Sequence, residues 1–250
     1  AASVSNISFP DYDLDFDDLG GSLSWIRPED MSEVTRYVVY FSVDAISTNR
    51  SKYGEIPVTL DMDNLTIPPE TALSPYTHFL VYCSSLLAEQ TTPVTHRIQD
   101  AWSSVSSIAF VDKDLDEAEL GGQVFWKPPV STSRVEVYRL YLAENAAGEH
   151  NLQLGNDVML GTNEAVVLVN TPLASYTHLV VYTKSFLVEQ TTPAYFLVSD
   201  TKAMVDNITF DDGDLDMSEV GGELIWSEPA DTSEVTYYVV YLSGNGTNRS

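Results

Sequence analysis

The chain carries the stretch Asp11-Tyr12-Asp13-Leu14-Asp15, followed by Leu19-Gly20-Gly21 and Trp25, and repeats this pattern twice more. The second copy begins 101 residues later, and the third begins 100 residues after the second. The stretch Glu89-Gln90-Thr91-Thr92-Pro93 also returns unchanged at residues 189–193. A fixed period of this kind is the sequence signature of a tandem array. The 250 residues therefore divide into repeat 1 (1–101), repeat 2 (102–201) and the first half of repeat 3 (202–250).

Short alternating apolar segments, separated by turn residues, fill each complete repeat. In repeat 1 they predict strands over residues 4–9, 22–26, 34–42, 56–60, 64–67, 76–84 and 93–98. In the segment 76–84 either alternating set of side chains can face the core. No segment carries a helical period. About seven half-buried strands per hundred residues indicate an all-β fold of tandem antiparallel β-sandwich modules, the third incomplete.

Four features resemble the fibronectin type III superfamily. They are Trp25 with Pro28 after it, a third strand that reads Tyr37-Val38-Val39-Tyr40, a tyrosine-rich segment at 76–82, and a single cysteine, Cys83, which rules out an intrachain disulfide. The resemblance covers both complete repeats and implies an immunoglobulin-like sandwich. The acidic turn is not typical of that family, and the full pattern is also similar to long acidic repeat arrays of cell-surface proteins.

The charge balance is strongly acidic. Asp and Glu number 37 against 12 Lys and Arg, which gives a net charge of −25. Such a surface repels phosphate backbones, so we expect no nucleic-acid partner. No apolar run approaches the roughly 18 residues of a membrane span, so none is expected in this segment. The expected partners are further copies of the module, other chains of the same filament, and glycans.

The alternating acids of each turn predict a calcium site. Carboxylates two residues apart in an extended segment point the same way and repel one another unless a cation lies among them, and calcium accepts six to eight oxygen ligands. The predicted ligands are Asp11, Asp13, Asp15, Asp18, Asp112, Asp114, Asp116, Glu119, Asp212, Asp214, Asp216 and Glu219. The competing interpretation is a solvated acidic loop at a sheet edge. We expect calcium to bridge the end of one module and the turn of the next, which would stiffen the array.

Six Asn-x-Ser/Thr triplets predict N-glycosylation and therefore an extracellular or cell-surface protein. They begin at Asn6, Asn49, Asn64, Asn207, Asn245 and Asn248. The sequence shows no phosphate-binding loop, zinc motif or nucleophile elbow, so we do not expect an enzyme. It predicts an extracellular structural or adhesive protein, a calcium-stiffened rod or filament of modules. The alternatives are a multivalent module that binds carbohydrate or protein, and a spacer in a larger enzyme.

Overall fold

The computed structural model describes residues 2–47 and 49–244 and is built almost entirely from β-strands. Repeat 1 forms the strands β1 (Ser5–Ser8), β2 (Asp18–Ile26), β3 (Arg36–Ser42), β4 (Ser51–Pro57), β5 (Asn64–Ala72), β6 (His78–Ser84) and β7 (Val94–Arg97). They pair antiparallel into a three-stranded sheet, in the order β1-β2-β5, and a four-stranded sheet, in the order β4-β3-β6-β7. The prediction of an antiparallel sandwich is confirmed.

The core of repeat 1 lies between these two sheets. Leu23 and Ile67 from one sheet and Phe79 from the other are fully buried in a single cluster. The Trp25 and Tyr37 rings meet edge to face across the core, with centroids 5.3 Å apart. Such pairs add to the stability that area burial alone provides.

Strand β6 buries both of its faces. Phe79, Val81 and Cys83 face the core between the sheets, while Leu80 and Tyr82 form a smaller cluster on the outer face. The Arg50 guanidinium covers the Tyr82 ring at 4.6 Å, in a cation–π contact. The sequence did not determine which alternating set of β6 side chains faces the core. In the structure one set faces the core and the other is buried on the outer face of the sheet.

Three predicted strands differ by several residues from those observed. The strand predicted at 22–26 begins earlier, at Asp18. The segment predicted at 56–60 is a strand only up to Pro57, because Val58–Leu60 form a 3₁₀ turn, and strand β4 begins earlier, at Ser51. The segment predicted at 64–67 continues through Pro68 and Pro69 to Ala72. Proline is tolerated there because β5 is an edge strand that pairs only with β2.

Repeat 2 has the same arrangement. Its strands are β8 (Ser106–Phe110), β9 (Glu119–Lys127), β10 (Val137–Ala143), β11 (Leu152–Gln153), β12 (Val158–Met159), β13 (Glu164–Pro172), β14 (His178–Lys184) and β15 (Ala194–Leu197). One sheet has the order β13-β9-β8 and the other the order β11-β10-β14-β15, with β12 also on β10. Two short strands, β11 and β12, therefore replace the single β4 of repeat 1.

In repeat 3 the described residues, 202–244, form a hairpin of β16 (Asp206–Asp212) and β17 (Gly222–Ser227) and no further strand. Residues 238–241 repeat the Tyr-Val-Val-Tyr pattern of the third strand in repeat 1, but the strand that this pattern predicts is not formed there. In repeat 1 the equivalent strand pairs with β4 and β6, and residues 202–250 contain no counterpart of either. Across the described parts of the chain, no helix is long and apolar enough to cross a membrane.

Candidate cation site and inter-repeat joint

The acidic loop, residues 11–15, lies between β1 and β2 and is held by its own carboxylates. Asp11 Oδ1 accepts hydrogen bonds from the amides of Asp13 (3.2 Å) and Gly20 (2.9 Å), and Asp13 Oδ1 accepts one from the amide of Asp15 (3.0 Å). These are two successive Asx turns. The Tyr12 amide donates to the Gly20 carbonyl at 2.7 Å and closes the loop against β2.

The acidic loops of repeats 2 and 3, residues 112–116 and 212–216, have the same hydrogen bonds. Asp112 and Asp212 each accept from a glycine amide at 2.9 and 3.0 Å, as Asp11 does. The same Asx turns recur in both loops. Because the loop of repeat 3 is exposed and still has this geometry, the conformation is set by residues local to each repeat.

The glycine pair after the loop is required mainly by close packing. Gly20 does not have a positive φ, and Gly21 has a φ of 158°, close to extended backbone. A Cβ added at Gly21 would lie 2.5 Å from the carbonyl oxygen of Pro10, so the β1 end of the loop approaches too closely for any side chain.

Leu14 is a residue of repeat 1, but its side chain packs in the core of repeat 2. Its side chain has no exposed surface and lies in the same buried cluster as Trp126 and Tyr138 of repeat 2. Its carbonyl oxygen accepts hydrogen bonds from the Ser103 amide at 3.1 Å and from Gln190 Nε2 at 2.7 Å. The acidic loop of repeat 1 therefore supplies a core residue of the following repeat.

Asp15 fastens the same loop to the two threonines that follow Gln190 in repeat 2. Its carboxylate is 1% exposed and accepts hydrogen bonds from the amides of Thr191 (2.6 Å) and Thr192 (2.9 Å). Both threonine hydroxyls also bond to it. The two threonines lie in the segment 189–193 that the chain duplicates without change, so that duplicated segment is part of the joint.

Tyr12 adds an aromatic contact to the joint. Its ring packs edge to face on Phe186 at 4.2 Å, and the Arg134 guanidinium lies over it at 4.8 Å. Its carbonyl accepts a hydrogen bond from Ser185 Oγ at 2.6 Å. The joint thus combines a buried leucine, a buried carboxylate and a stacked tyrosine, all from repeat 1.

The linker between the repeats is bonded to the loop as well. Asp11 Oδ2 accepts from the Ala101 amide at 3.0 Å, and Asp100 accepts from the Asp17 amide at 2.9 Å. The sequence placed the turn of the following repeat at each joint. The structure instead uses the turn of the preceding repeat, because the loop between β1 and β2 lies at the end of repeat 1 from which the chain leaves.

Among residues 2–47 and 49–244, three groups of carboxylates approach closely enough to hold a metal ion. They are Asp13 with Asp15 and Glu70, Asp114 with Asp116 and Glu119, and Asp214 with Asp216 and Glu219, and in each group one oxygen per residue lies within 4.8 Å of the others. The remaining predicted ligands, Asp11, Asp18, Asp112 and Asp212, lie outside these groups. Asp11 and Asp112 instead accept linker amides, from Ala101 and Thr201 respectively.

Sequence reasoning missed Glu70, because it reaches the loop from strand β5. Its amide donates to Asp13 Oδ2 at 2.8 Å, with a φ of 61° at Glu70. Asn170 occupies the equivalent place in repeat 2, where its amide donates to Asp114 at 2.6 Å. Asn170 repeats the backbone contact of Glu70 but has no carboxylate. Comparing the side chains of the two repeats therefore does not identify Glu70 as a possible ligand.

The acids of the first joint are electrostatically crowded. Burial raises the pKa of Asp11 to about 6, from an ordinary value of 3.8. Burial also raises the pKa of Asp18 and of Glu70, and the nearby charges of Asp13 and Asp15 raise both further. The ionised joint therefore carries an energetic cost that a bound cation would reduce.

The sequons that the structure describes are all open to solvent. Asn6, Asn49, Asn64 and Asn207 are exposed, and Asn6 and Asn207 adopt left-handed φ values of 48° and 51° at equivalent bulges. Asn245 and Asn248 lie outside the described residues. Glycosylation at these sites stays a prediction.

No known protein family and no curated protein matches this chain. What the site can do therefore follows from its own residues. The loop can bind one repeat to the next through apolar and hydrogen-bonding contacts, and its carboxylate groups offer hard oxygen ligands beside that contact.

Proposed function

We propose that this chain is part of an extracellular structural or adhesive array, a rod or filament in which each sandwich fastens the next through its acidic loop. The observation that carries the proposal is Leu14, a residue of repeat 1 that is buried in the core of repeat 2. A flexible string of independent domains would leave this leucine in solvent. This buried contact between repeats 1 and 2 restricts bending at their joint, and the same contact at successive joints would give the stiffness that a rod requires.

The hydrogen bonds of Asp15 support the same proposal. An ionised carboxylate accepting two amides is a strong, directional contact, and here it joins residues of different repeats. Thr191 and Thr192 are exposed, so without the contact their donors would bond to water, whereas the buried Asp15 carboxylate would lose its partners, at a cost of about 1–3 kcal/mol. The joint is thus fixed in orientation as well as in distance.

Calcium is proposed as the ion that stiffens the joint. The group formed by Asp13, Asp15 and Glu70 supplies carboxylate oxygens, which are the ligands that calcium prefers. The oxygens of Asp13 and Asp15 already accept backbone amides, but a carboxylate oxygen has a second lone pair with which to bind an ion. Calcium would offset the repulsion that raises the pKa of Glu70.

A scattering experiment tests the rod. Small-angle X-ray scattering of dilute full-length chain measures its maximum dimension and flexibility, for the wild type and for Leu14→Asp. Leu215→Asp is the matched control, because Leu215 is the equivalent residue of repeat 3 and is fully exposed. We expect Leu14→Asp alone to give a more flexible particle. Equal flexibility in all three chains would contradict the proposal.

A second experiment tests calcium separately from the rod. Saturating calcium at about 100 times its dissociation constant stabilises the folded state by about 2.7 kcal/mol, which raises Tm by roughly 5–10 °C for a chain of this size. Glu70→Gln removes one carboxylate of the first group, so it should reduce the shift. Magnesium is the control ion, since it keeps its waters and prefers octahedral sites. An unchanged Tm with calcium would exclude the ion and leave the rod proposal standing.

The extracellular location and the subclass of the fold are part of the proposal. The exposed sequons at Asn6, Asn49, Asn64 and Asn207 support secretion, and mass spectrometry of the native material tests for sugar on each. Fibronectin type III-like modules are supported by strand β4, which pairs with β3 and not with β5. In an immunoglobulin constant-type sandwich the fourth strand lies in the other sheet.

A further inference from the structure

Strand β13 is an edge strand of repeat 2, the repeat that has another before it and another after it in this chain. β13 pairs only with β9, and we call its other side, where no described strand lies, the open edge. Val166 and Leu168 on this strand are 59% and 72% exposed. Unpaired edges are templates to which another strand can add, and proteins usually protect them.

The backbone groups at the open edge belong to alternate residues of β13. The Trp126 amide donates to the Asn163 carbonyl at 3.1 Å, just before β13 begins. Hydrogen-bonded and non-hydrogen-bonded pairs alternate in an antiparallel ladder, so every second residue after Asn163 bonds to β9. The residues between them direct backbone groups toward the open edge, and these are Glu164 and Val166, with N–H and C=O, and Leu168, with its N–H.

In repeat 1 two prolines protect the equivalent edge. Pro68 and Pro69 stand in strand β5 where β13 has Leu168 and Val169. A proline has no N–H to offer to an added strand, which is why it is found on the edges of sheets. β13 therefore has an apolar, hydrogen-bonding edge where β5 has a blocked one.

A tyrosine gives the edge of repeat 1 further protection. The Tyr53 hydroxyl of strand β4 donates to the Thr66 carbonyl of β5 at 3.4 Å. In repeat 2 the equivalent positions hold Leu154 and Val166, and a leucine has no hydroxyl to donate. The Val166 carbonyl therefore lacks the hydrogen bond that its counterpart in repeat 1 receives.

We propose that the open edge of β13 pairs antiparallel with the same edge of a second copy of this chain, with Val166 of each copy at the two-fold axis. Each Val166 amide then donates to the Val166 carbonyl of the other copy, and each Leu168 amide donates to a Glu164 carbonyl. The two three-stranded sheets join into one of six strands. The contact goes beyond the proposed function, because it lies on the side of the sandwich and not at the joint.

The charges of the strand favour a second copy in this register. The chain has a net charge of −25, so a copy can pair with it only where like charges are not opposed. Residues 165–172 are uncharged, and Glu164 faces Leu168 of the other copy. The two Glu164 residues then lie about 14 Å apart along the strands, four residues at ~3.4 Å each. This exceeds the Debye length of about 8 Å at physiological salt, so their repulsion is screened.

The side chains that meet at the axis are apolar. Val166 and Leu168 lie on the outer face of the sheet, whereas Val167 between them is buried in the core. A cross-strand pair of β-branched residues stabilises an antiparallel sheet. Repeat 1 has Thr66 and Pro68 at the same two places, so we expect the pairing through repeat 2 alone.

Sedimentation of the full chain from about 1 µM to about 1 mM, in about 0.15 M salt, tests the proposal. The wild type should form a dimer in this range. The double variant Leu168→Pro with Val169→Pro copies the edge of repeat 1, whose strand β5 forms with prolines at these positions. It should weaken dimerisation by about 100-fold or more, because it removes the Leu168 amide and blocks the approach of the second strand.

A second variant does not depend on proline. Val166→Lys brings two ammonium groups together at the axis and should also weaken dimerisation by about 100-fold. Val130→Lys is the matched control, since it changes the net charge equally at a fully exposed position in the loop after β9. It should dimerise as the wild type does.

Amide hydrogen exchange locates the contact. When nine-tenths of the chain is dimeric, the Val166 and Leu168 amides should exchange about 10-fold more slowly than in dilute chain, because only the monomer exposes them. The Ala165 amide should change much less, since it bonds to β9 in both states.

A wild-type chain that stays monomeric up to 1 mM overturns the inference. A dimer that survives both Leu168→Pro with Val169→Pro and Val166→Lys overturns it as well, as does exchange at Val166 that is unchanged by concentration. None of these results bears on the joint between repeats 1 and 2, because that joint is tested by scattering on dilute chains. A failure of the inference is therefore distinguishable from a failure of the proposed function.

Discussion

Replacing Leu14 with alanine should destabilise repeat 2, although Leu14 lies in repeat 1. The side chain has no exposed surface and is part of the core cluster of repeat 2. Removing a fully buried leucine side chain costs about 2–5 kcal/mol, through lost burial and the cavity that remains. The upper half of this range applies if the hydrogen bonds of Tyr12 and Asp15, on either side of Leu14, keep the loop from shifting to fill the space.

Amide hydrogen exchange, measured residue by residue, shows which repeat loses stability. In Leu14→Ala the core amides of repeat 2, such as those of Val124 and Leu140, should exchange about 30-fold to several-thousand-fold faster at equilibrium. Leu23 and Val39 in the core of repeat 1 should change much less, because their cluster does not include Leu14.

The matched control is Leu215→Ala. Leu215 is 99% exposed, so its substitution should alter stability by no more than about 0.5 kcal/mol. Unchanged exchange in repeat 2 of the Leu14→Ala chain, or faster exchange in repeat 1 alone, would refute the assignment of Leu14 to the core of repeat 2.

Three further predictions concern the same joint. Because the folded state raises the pKa of Asp11 from 3.8 to about 6, it holds a proton more tightly than the unfolded chain, so the free energy of unfolding should fall as pH rises through that window. Calorimetry should show about 1 kcal/mol more stability at pH 5 than at pH 7, a difference that Asp11→Asn should remove and that a lower Tm at pH 5 would contradict. Gly21→Ala should lower the free energy of unfolding by about 1–3 kcal/mol, because the added Cβ would lie 2.5 Å from a carbonyl oxygen. The control is Gly244→Ala, where the Cβ meets nothing within 4 Å. It should leave the free energy of unfolding unchanged in the same denaturant titration. Gln190→Ala removes a hydrogen-bond donor from the Leu14 carbonyl, so it should lower the free energy of unfolding by about 1–3 kcal/mol. It should also speed hydrogen exchange at the Ser103 amide. Unchanged exchange at that amide would show that the hydrogen bond from Gln190 is not needed.

Much of the fold follows from the sequence because it depends on local patterns. The alternation around Trp25 and Tyr37 predicted strands that the structure confirms, and the ring pair they form recurs between Trp126 and Tyr138 at 5.5 Å. The end of strand β4 was not predictable in this way. Val58–Leu60 have strand-like residues, and their turn depends on how the chain crosses to β5.

The site was predictable only in part. The alternating acids correctly pointed to groups of carboxylates, two of the three in each group coming from the loop itself. Glu70 and Thr191 are brought to the loop by tertiary structure, which no spacing reveals. A signal for the joint was nevertheless present in Thr91-Thr92, which recurs unchanged at 191–192 on exposed positions, whereas Glu89 and Gln90 recur with the same hydrogen bonds inside each repeat.

The burial of Leu14 in the next sandwich bears on how such arrays can grow by gene duplication. Repeat 2 encodes both the surface that receives the loop of its predecessor and an acidic loop of its own with the same internal hydrogen bonds as the docked loop. Insertion of one more copy at a repeat boundary therefore adds a matched pair of contacts, and no compensating mutation is needed on either side. Recombination inside a repeat that separated the loop from its sandwich would lack this advantage, so whole repeats are the unit in which the array can be lengthened or shortened.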